Sequence, residues 1–431
     1  MGTILIKDGA IRSPDGWLSP GYVYIGGERI ESVEEGHPPS KLLAEAQEII
    51  SAPHCAVMPG LVNAHTHLSQ TFMRGLAGGR PLLPWLKELI WPLQNALTPD
   101  DLRLAALLGL VENLRYGVTE LCNHHKVVTT PEHTDAVCDA ASTFGLRVTL
   151  ARAWADRGSN AESPESIEED LIRLFERWRT SDRLKIANGP IALWRCSAET
   201  LQSTHYLARE YDSFSHFHVS ENQDEVELSV DEYGKRPVEW LKSLDLLNPD
   251  TQVVHAVWVD ESEIDLLALT GAPVVHCPVS NAILGSGIAP VVDFLRKEVP
   301  LKLGTDGPAS NDTQDIWETL KMAICLIRAN TLDATALPPA DSLDLVLGSK
   351  ALESGSPADL IIVNLDRPSA VPVHDIDSTL ALSTHGCHVE TVIVGGDILM
   401  RDREVLVLDE KALLNECRSA AGLLRKRAGV N

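Results

Sequence analysis

The sequence predicts an α/β protein in which a (β/α)8 barrel of the TIM type is joined to a small β-sandwich domain built from both chain ends. Three observations predict this fold. Eight strand-like runs alternate with helix-like segments through the middle of the 431-residue chain, which is the number that an eightfold barrel requires. Short β-type runs punctuated by Gly and Pro occupy both ends. Polar residues follow the barrel runs at their carboxyl ends, where such barrels place their chemistry.

The two ends of the chain share a pattern of short β-type runs. "TILIKDGAI" and "YVYIGGERIESV" lie near the start, and "ADLIIVNLD" and "VETVIVGGDILMRDREVLVL" lie near the end. We therefore expect residues 1–58 and 357–410 to form one composite β-domain. The same pattern assigns residues 59–356 to the barrel and residues 411–431 to a C-terminal helix.

The runs between these ends are assigned to barrel strands by their apolar and β-branched content. After the first strand, which leads into "NAHTH", the predicted strands are Val118–Asn123, Leu146–Trp154, Leu184–Leu193, Ser215–Glu221, Thr251–Val259, Ala272–Ser280 and Val299–Gly307.

The helix between the first two barrel strands is predicted in detail, from Thr98 to Gly117. Thr98 is a suitable N-cap, Pro99 fits the first helical position, and Gly117 suits the position after the last turn. The apolar stripe predicted to face the core consists of Leu104, Leu107, Leu108, Val111 and Leu114.

Composition argues against several classes of partner and location. The formal net charge is −24 at pH 7, which argues against nucleic acid and anionic membrane surfaces, since phosphate groups are bound by basic faces. No apolar run reaches the ~18 residues of a membrane span, and the N-terminus lacks a signal-peptide pattern. The eight cysteines are scattered without a CxxC pair, which predicts reduced thiols in a cytoplasmic protein.

Imidazoles and carboxylates recur where the predicted barrel strands end. His65 and His67 lie two residues apart on one strand, so their side chains point to the same side. The later members of the pattern are His124, His125, His218, Glu221, His255, His276, Asn281 and Asp306. Each alone is more often a hydrogen-bonded core or turn residue, but several buried together are costly unless a cation satisfies them. The pattern therefore predicts a zinc or iron site in the barrel mouth.

Four segments in this order carry a specific resemblance: "PGLVNAHTH", "HVSE", "VVHCPVSNAILGSGIAP" and "LGTDGPASND". They resemble the amidohydrolase superfamily, in the branch of atrazine chlorohydrolase, 8-oxoguanine deaminase and the adenosine-type (S-adenosylhomocysteine) deaminases. The resemblance covers nearly the whole chain. It implies a hydrolytic deaminase of an N-heterocyclic ring, such as an oxidised purine, pterin, pyrimidine or s-triazine, with one Zn2+ per chain and Fe2+ as the alternative. It also implies a small-molecule substrate, and relatives often form homodimers.

Residue roles follow from the same resemblance. It implies that His65, His67, His218 and Asp306 are the metal ligands. Glu221 would carry protons between the attacking water and a ring nitrogen. His255 would hydrogen-bond the reacting oxygen, and Asp306 would also accept the proton of the water.

Substrate-binding residues are expected around this centre. The candidates are Gln70, Trp85, His125, Trp194, Asn281 and Ser310. His125 would donate to a ring carbonyl or, as an alternative, cap a loop, and Trp85 would cover the ring or belong to the core. Loop capping is also the alternative for Asn281 and Ser310.

Two positions depart from the adenosine-type deaminases that the chain resembles. Those enzymes have a Glu two residues before the Trp at position 85, and a His after Gly-Pro at the fourth strand. This chain has Leu83 and Ile191 there, which favours a free base or a triazine over a nucleoside. An s-triazine chlorohydrolase or alkylaminohydrolase and an adenosine or S-adenosylhomocysteine deaminase are the alternatives.

Two further features concern the kind of metal site and the segment that follows the last barrel strand. A binuclear site of the dihydroorotase type is disfavoured, because the fourth strand has no lysine beyond Lys185 at its start. The segment between Pro338 and Asp359 is shorter than the corresponding segment of the relatives, which predicts a truncated final helix or a loop.

Overall fold

The structure is a computed structural model that describes residues 2–76, 79–125, 130–348 and 351–430. Within these ranges the strands form two sheets, an eight-stranded parallel barrel and a nine-stranded sheet drawn from both chain ends. The predicted α/β fold with a TIM-type barrel and a separate β-domain is confirmed. No described helix combines the length and hydrophobicity that crossing a bilayer requires.

The strands are numbered in chain order. They are β1 (Thr3–Ser13), β2 (Gly16–Gly26), β3 (Arg29–Glu35), β4 (Glu48–Ser51), β5 (Cys55–Pro59), β6 (Leu61–Thr66), β7 (Val118–His125), β8 (Arg147–Trp154), β9 (Leu184–Pro190), β10 (Ser215–Val219), β11 (Thr251–His255), β12 (Val274–His276), β13 (Leu301–Leu303), β14 (Leu360–Asn364), β15 (Val389–Val394), β16 (Asp397–Arg401) and β17 (Glu404–Val405).

The α-helices are numbered in the same way. They are α1 (Ser40–Glu45), α2 (Leu82–Trp85), α3 (Trp91–Asn95), α4 (Pro99–Arg115), α5 (Pro131–Phe144), α6 (Pro164–Trp178), α7 (Ala198–Glu210), α8 (Gln223–Tyr233), α9 (Pro237–Ser243), α10 (Glu261–Thr270), α11 (Pro278–Ile283), α12 (Val291–Arg296), α13 (Ile316–Thr331), α14 (Pro339–Leu343), α15 (Ile376–Ser383) and α16 (Glu410–Ala428).

The barrel consists of β6 to β13, paired in consecutive order. The loop after β13 returns to β6, where the Asp306 N–H donates to the carbonyl of His65 at 2.9 Å. Gly304 permits this close approach, because a Cβ at that position would lie 2.7 Å from the Cβ of His65. Closure of the barrel therefore brings Asp306 beside the first strand.

The second sheet has the order β17-β16-β15-β14-β5-β1-β2-β3, with β4 paired to β1. It joins the barrel through Gly60, the residue between β5 and β6. A Cβ on Gly60 would lie 2.0 Å from Oγ1 of Thr119, so only glycine lets the chain pass from one sheet to the other against β7.

Helix α4 begins as predicted, and its predicted core stripe is buried in part, at Val111 and Leu114. The Thr98 side chain accepts the N–H of Asp101 and completes a capping box. The buried positions include Leu102, Ala105 and Leu110, whereas Leu104, Leu107 and Leu108 are half-buried. The reason is that helix α16 covers the outer side of α4, where the thiol of Cys417 donates to the carbonyl of Leu104, so apolar residues occur on both faces.

The shortened segment after Pro338 holds one helix, α14, of five residues. This agrees with the expected truncation. Ser349 and Lys350, in the same segment, lie outside the described residues.

Candidate active site

The four predicted metal ligands meet at the carboxyl end of the barrel. The Nε2 atoms of His65 and His67 lie 3.4 and 3.3 Å from Oδ1 of Asp306. The ring centroid of His218 lies 5.1 Å from that of His65 and 5.4 Å from that of His67. These side chains come from β6, β10 and the loop after β13, so only the closed barrel assembles them.

Hydrogen bonds at the outer nitrogens orient the imidazoles. The Nδ1–H of His67 donates to the carbonyl of His124 at 2.7 Å, and the Nδ1–H of His218 donates to the carbonyl of Ile191 at 2.6 Å. Each ring therefore keeps its Nε2 lone pair for the centre of the cluster, which is the arrangement of metal-binding histidines.

The cluster fits a divalent metal ion. The candidate ligand atoms of His65, His67 and Asp306 all lie within 4.8 Å of one another. Nε2 of His65 is buried and has no hydrogen-bond partner among the described residues, which is costly unless a ligand satisfies it. Imidazole nitrogens with a carboxylate oxygen suit zinc or iron.

His124, which the sequence analysis included in the strand-end pattern without a role of its own, lies beside the predicted ligands. Its ligand atom lies within 4.8 Å of those of His67 and His218, as the ligand atom of His255 does with His65 and His218. Of the adjacent histidines His124 and His125, the sequence analysis gave a substrate-binding role only to His125. Because side chains alternate along β7, His124 faces the cluster and His125 faces the opposite side.

Asp306 is held rigidly. Its Oδ2 accepts the hydroxyl of Ser280 at 2.7 Å and its Oδ1 accepts the N–H of Gly307 at 2.6 Å. Burial raises the pKa of this carboxyl, but the imidazoles of His65 and His67 lower it further, so that the net pKa lies well below its usual value. Asp306 is therefore ionised and able to accept a proton only from a strongly activated donor.

Three residues of the site have backbone strain. The φ angles of Ser220, His255 and Asp306 are +53°, +74° and +63°, in the left-handed region that non-glycine residues rarely adopt. Such strain costs about 1–3 kcal/mol per residue and clusters at functional sites.

Glu221 and His255 face each other beside the ligands. Oε2 of Glu221 lies 3.7 Å from Nε2 of His255. The amide Nδ2 of Asn281 donates to Nδ1 of His255 at 3.1 Å, so a neutral His255 ring presents Nε2–H to the site. Burial lowers the pKa of His255 to about 3, which keeps the ring neutral.

The carboxyl of Glu221 is suited to proton transfer. Burial, with contributions from Asp306 and Glu225, raises its pKa well above the usual value. A carboxyl whose pKa is raised keeps its proton to higher pH than a free one, which suits a group that acts as a general acid and then as a base.

Glu225 is a second buried carboxyl that sequence analysis missed. Its Oε2 accepts the backbone N–H of Glu221 at 2.8 Å, and burial raises its pKa to about 7. The available signal was its position three residues after Asn222, the N-cap of α8, where capping patterns place a Glu.

A largely apolar pocket leads to the cluster and contains about 830 Å³ of empty space, counting its open mouth. Its aromatic and aliphatic wall includes Trp85, Trp91, Trp194, Leu83 and Ile191. The two positions at which the chain departs from the adenosine-type pattern therefore both face the pocket.

Beside the ionisable groups around the cluster, the pocket has neutral polar side chains in its wall. Gln70, Gln94 and Ser310 contribute to its lining. Oε1 of Gln70, Nε2 of Gln94 and Nε1 of Trp85 are buried without a hydrogen-bond partner in the described part of the chain. A planar ligand with ring nitrogens and exocyclic groups would satisfy them, and Gln94 had no distinguishing signal in the sequence.

The structure places four of the six predicted substrate-binding residues in the pocket lining. Gln70, Trp85, Trp194 and Ser310 line the pocket. The pocket lining does not include His125 or Asn281 within the described ranges. Strand alternation turns His125 to the other face of β7, and Asn281 hydrogen-bonds His255, so a substrate-binding role for these two residues stays a prediction.

Comparison with known proteins agrees with this geometry. The model of the amidohydrolase family matches residues 56–399. A 5-methylthioadenosine/S-adenosylhomocysteine deaminase from Haloarcula marismortui is 35% identical over 440 residues and is matched over 100% of both chains. A 5'-deoxyadenosine deaminase from Methanothermobacter thermautotrophicus is 35% identical over 433 residues, which cover 98% of this chain and 95% of the relative.

Solved structures share the whole fold. An adenosine deaminase from Xanthomonas campestris with bound zinc has a TM-score of 0.91 and 30% identity, and the match covers 98% of each chain. A triazine hydrolase from Arthrobacter aurescens has a TM-score of 0.90 at 22% identity, covering 98% of this chain and 100% of that one, which shows the fold alone. The predicted class of enzyme, a hydrolase of C–N bonds in cyclic amidines, is confirmed by the family and these relatives. The chain belongs to the amidohydrolase family.

Proposed function

We propose that the chain hydrolyses the exocyclic amino group from an adenine-type ring, with one zinc ion per chain. The observation that carries this proposal is the cluster of His65, His67, His218 and Asp306, with Glu221 and His255 beside it, within one apolar pocket. The relatives named above act on modified adenosines.

Zinc is the proposed metal because the related adenosine deaminase structure has it bound, and iron is the alternative that the same ligand set accepts. When bound, the metal would activate a water molecule for attack at neutral pH. His65, His67, His218 and Asp306 would hold it.

The chain's own residues divide the proton transfers. Ionised Asp306 accepts the proton of the attacking water. Protonated Glu221 donates its proton to the ring nitrogen next to the reacting carbon, which makes that carbon electrophilic. Ionised Glu221 then takes the second proton of the attacking water and passes it to the departing amine, and Asp306 returns the first proton to Glu221, which restores both carboxyl groups. The Nε2–H of His255 stabilises the charge that develops on the attacking oxygen.

The pocket would hold the ring by shape and by a few hydrogen bonds. Trp85 and Trp194 present aromatic surface for stacking. The amides of Gln70 and Gln94 can each both donate and accept, so they match the mixed donors and acceptors of an aminopurine.

Adenosines substituted at the 5' position are the first candidate substrates, since the relatives of about one-third identity over the full length are named for them. A free aminated base or an amino- or chloro-s-triazine is the second candidate. The apolar side chains of Leu83 and Ile191 in the pocket favour it, because neither can bind a ribose hydroxyl.

A panel that measures ammonia and chloride release tests the two candidates. The substrates are 5'-methylthioadenosine, 5'-deoxyadenosine, adenine, 8-oxoguanine, melamine and atrazine, with Glu221→Gln as the background control. We expect ammonia from the 5'-modified adenosines. Ammonia from the free bases or melamine alone would establish the second candidate, and release of chloride without ammonia would contradict the deaminase proposal.

Location and assembly remain proposals. All eight cysteines are free thiols, which supports the proposed cytoplasmic location, where thiols stay reduced. The homodimer stays a prediction, and light scattering of the zinc-loaded protein would test it.

A further inference from the structure

Arg195 places a guanidinium in the wall of the substrate pocket. The residue ends a short 3-10 turn, Leu193–Arg195, in the loop after β9 and is 7% exposed. Its Cζ lies 5.6 Å from the ring centroid of Trp91 and 5.6 Å from that of Trp194. All three residues line the pocket, so the cation is set between two aromatic surfaces.

The side chain is anchored at one edge. Nε donates to the carbonyl of Arg157 at 2.8 Å and Nη2 donates to the carbonyl of Ser159 at 2.5 Å. A guanidinium has five N–H donors, and within the described ranges these two hydrogen bonds are all that the guanidinium of Arg195 makes. The remaining donors, including both of Nη1, are left for another acceptor.

Arg152, the other buried arginine among the described residues, has the ion pairs that Arg195 lacks. Arg152, which is 1% exposed, pairs with Glu162 at 2.5 Å and with Asp170 at 2.8 Å. Arg195 has no ion pair within the described residues. Burying a cation without an anion is unfavourable, and contact with two tryptophans offsets only part of that cost.

We infer that Arg195 forms a subsite for an oxyanion, a carboxylate or a phosphate, carried by the substrate away from the ring that is deaminated. Both groups match the fork of donors on a guanidinium. The carboxylates that line the pocket are those of Glu221, Asp224, Glu225 and Asp306, and among the described residues none of them forms an ion pair with Arg195. This inference rests on the proposed function, because it names a substituent of the same substrate.

Matched probes test the subsite without relying on turnover. In 5'-deoxyadenosine and adenosine-5'-carboxylate, a methyl group is exchanged for a carboxylate on the same nucleoside. In 9-propyladenine and 3-(adenin-9-yl)propanoate, the same exchange is made without the ribose. Adenosine 5'-phosphate distinguishes a phosphate from a carboxylate. Dissociation constants would be measured by calorimetry on zinc-loaded protein in the Glu221→Gln background, so that no probe is consumed.

Three substitutions complete the design. Arg195→Met removes the charge and keeps an apolar chain between the tryptophans, and Arg195→Lys keeps the charge without the planar fork. Arg179→Gln makes the same change of net charge at a side chain that is 70% exposed. The melting temperature of each variant reports whether the bonds to Arg157 and Ser159 matter only for folding.

We expect at least one oxyanion probe to bind about tenfold or more tightly than its neutral partner, the range of a charge-assisted hydrogen bond. That preference should disappear in Arg195→Met, weaken in Arg195→Lys and persist in Arg179→Gln. If Arg195→Met does not fold, the inference is tested by the preference of the parent protein for the oxyanion probe and by the loss of part of that preference in Arg195→Lys.

Equal binding of charged and neutral probes by the parent protein would overturn the inference, as would an unchanged preference in Arg195→Met. Failure of every oxyanion probe to bind would overturn it as well. Failure of the proposed function is distinguishable, because it would show as no ammonia from any adenine-containing probe with the Glu221 enzyme while the Arg195-dependent preference remained.

Discussion

Nε2 of His216 lies 2.7 Å from Nδ1 of His65, and Nδ1 of His216 lies 2.9 Å from the amide oxygen of Gln252. The amide oxygen can only accept, so Nδ1 of His216 holds the hydrogen and its Nε2 accepts from Nδ1–H of His65. His65 is therefore left with its Nε2 lone pair aimed at the metal position. Gln252, which touches no ligand atom of the cluster, sets the tautomer of the first ligand.

The first prediction concerns this chain of hydrogen bonds. Replacing the amide in Gln252→Leu removes the acceptor that fixes His216, and zinc affinity should fall about 10–100-fold, as for other outer partners of metal-binding histidines. Competition with a chromophoric chelator measures it. Gln202→Leu, at a half-buried glutamine that donates to the carbonyl of Leu244, is the control. Equal zinc affinities in the two variants would show that the tautomer does not depend on Gln252.

The second prediction concerns proton transfer. Glu221→Gln cannot donate or accept the transferred proton, so kcat should fall about 10²–10⁴-fold. The metal content, measured by mass spectrometry, should stay near one zinc per chain, because Glu221 is outside the proposed ligand set. Glu227→Gln, at an exposed position on α8, the helix that follows Glu221, should behave as the parent. A Glu221→Gln enzyme with parental turnover would remove Glu221 from the mechanism.

The third prediction concerns Glu225 and pH. Its pKa is raised from 4.5 to about 7 by burial, so the native state binds the proton more tightly than the unfolded chain does. The stabilising contribution is complete below pH about 4.5 and is lost as pH rises through about 7, a change of about 3 kcal/mol.

Denaturant unfolding of zinc-loaded protein between pH 5 and 8 checks this sign. The free energy of unfolding of Glu225→Gln, which stays neutral, should depend less steeply on pH than that of the parent, with the difference between them growing from pH 5 to about 7 and levelling off above that. Parallel curves for the two proteins would mean that Glu225 is already ionised at pH 5.

The fourth prediction concerns removal of the metal. Dialysis against a chelator should abolish ammonia release, and stoichiometric zinc should restore it, because no described residue replaces the activation of water. The melting temperature should also rise with added zinc, since the ion binds the native state and buried imidazoles gain a partner. Full activity of protein shown to be free of zinc and iron would refute the mechanism.

The first-strand pair could be predicted because its geometry is local. His65 and His67 are two residues apart on a strand, and this spacing alone directs both rings to one side. The alternation of strands and helices predicts the barrel, and the barrel predicts that the ends of β10 and β13 lie near β6. The cap of α4 at Thr98 was equally local, being set by neighbouring residues.

Features that depend on contacts between residues distant in the chain were decided by the tertiary structure. The pattern of α4 could not show that α16 covers its outer side, so three of the five residues predicted to face the core are only half-buried. At the end of β7, the register of the strand against its neighbours turns His124 to the cluster and His125 away.

The sequence by itself determined the barrel, the metal-ligand residues proposed here and the family, because these follow from local periodicity and from segments with strongly constrained spacing. Only the tertiary structure linked Gln252 to His65 through His216, raised the pKa of Glu225 and left Arg195 buried without a carboxylate. Spacing along a chain fixes the direction of a side chain, whereas burial and the distance between atoms on different strands depend on how those strands pack.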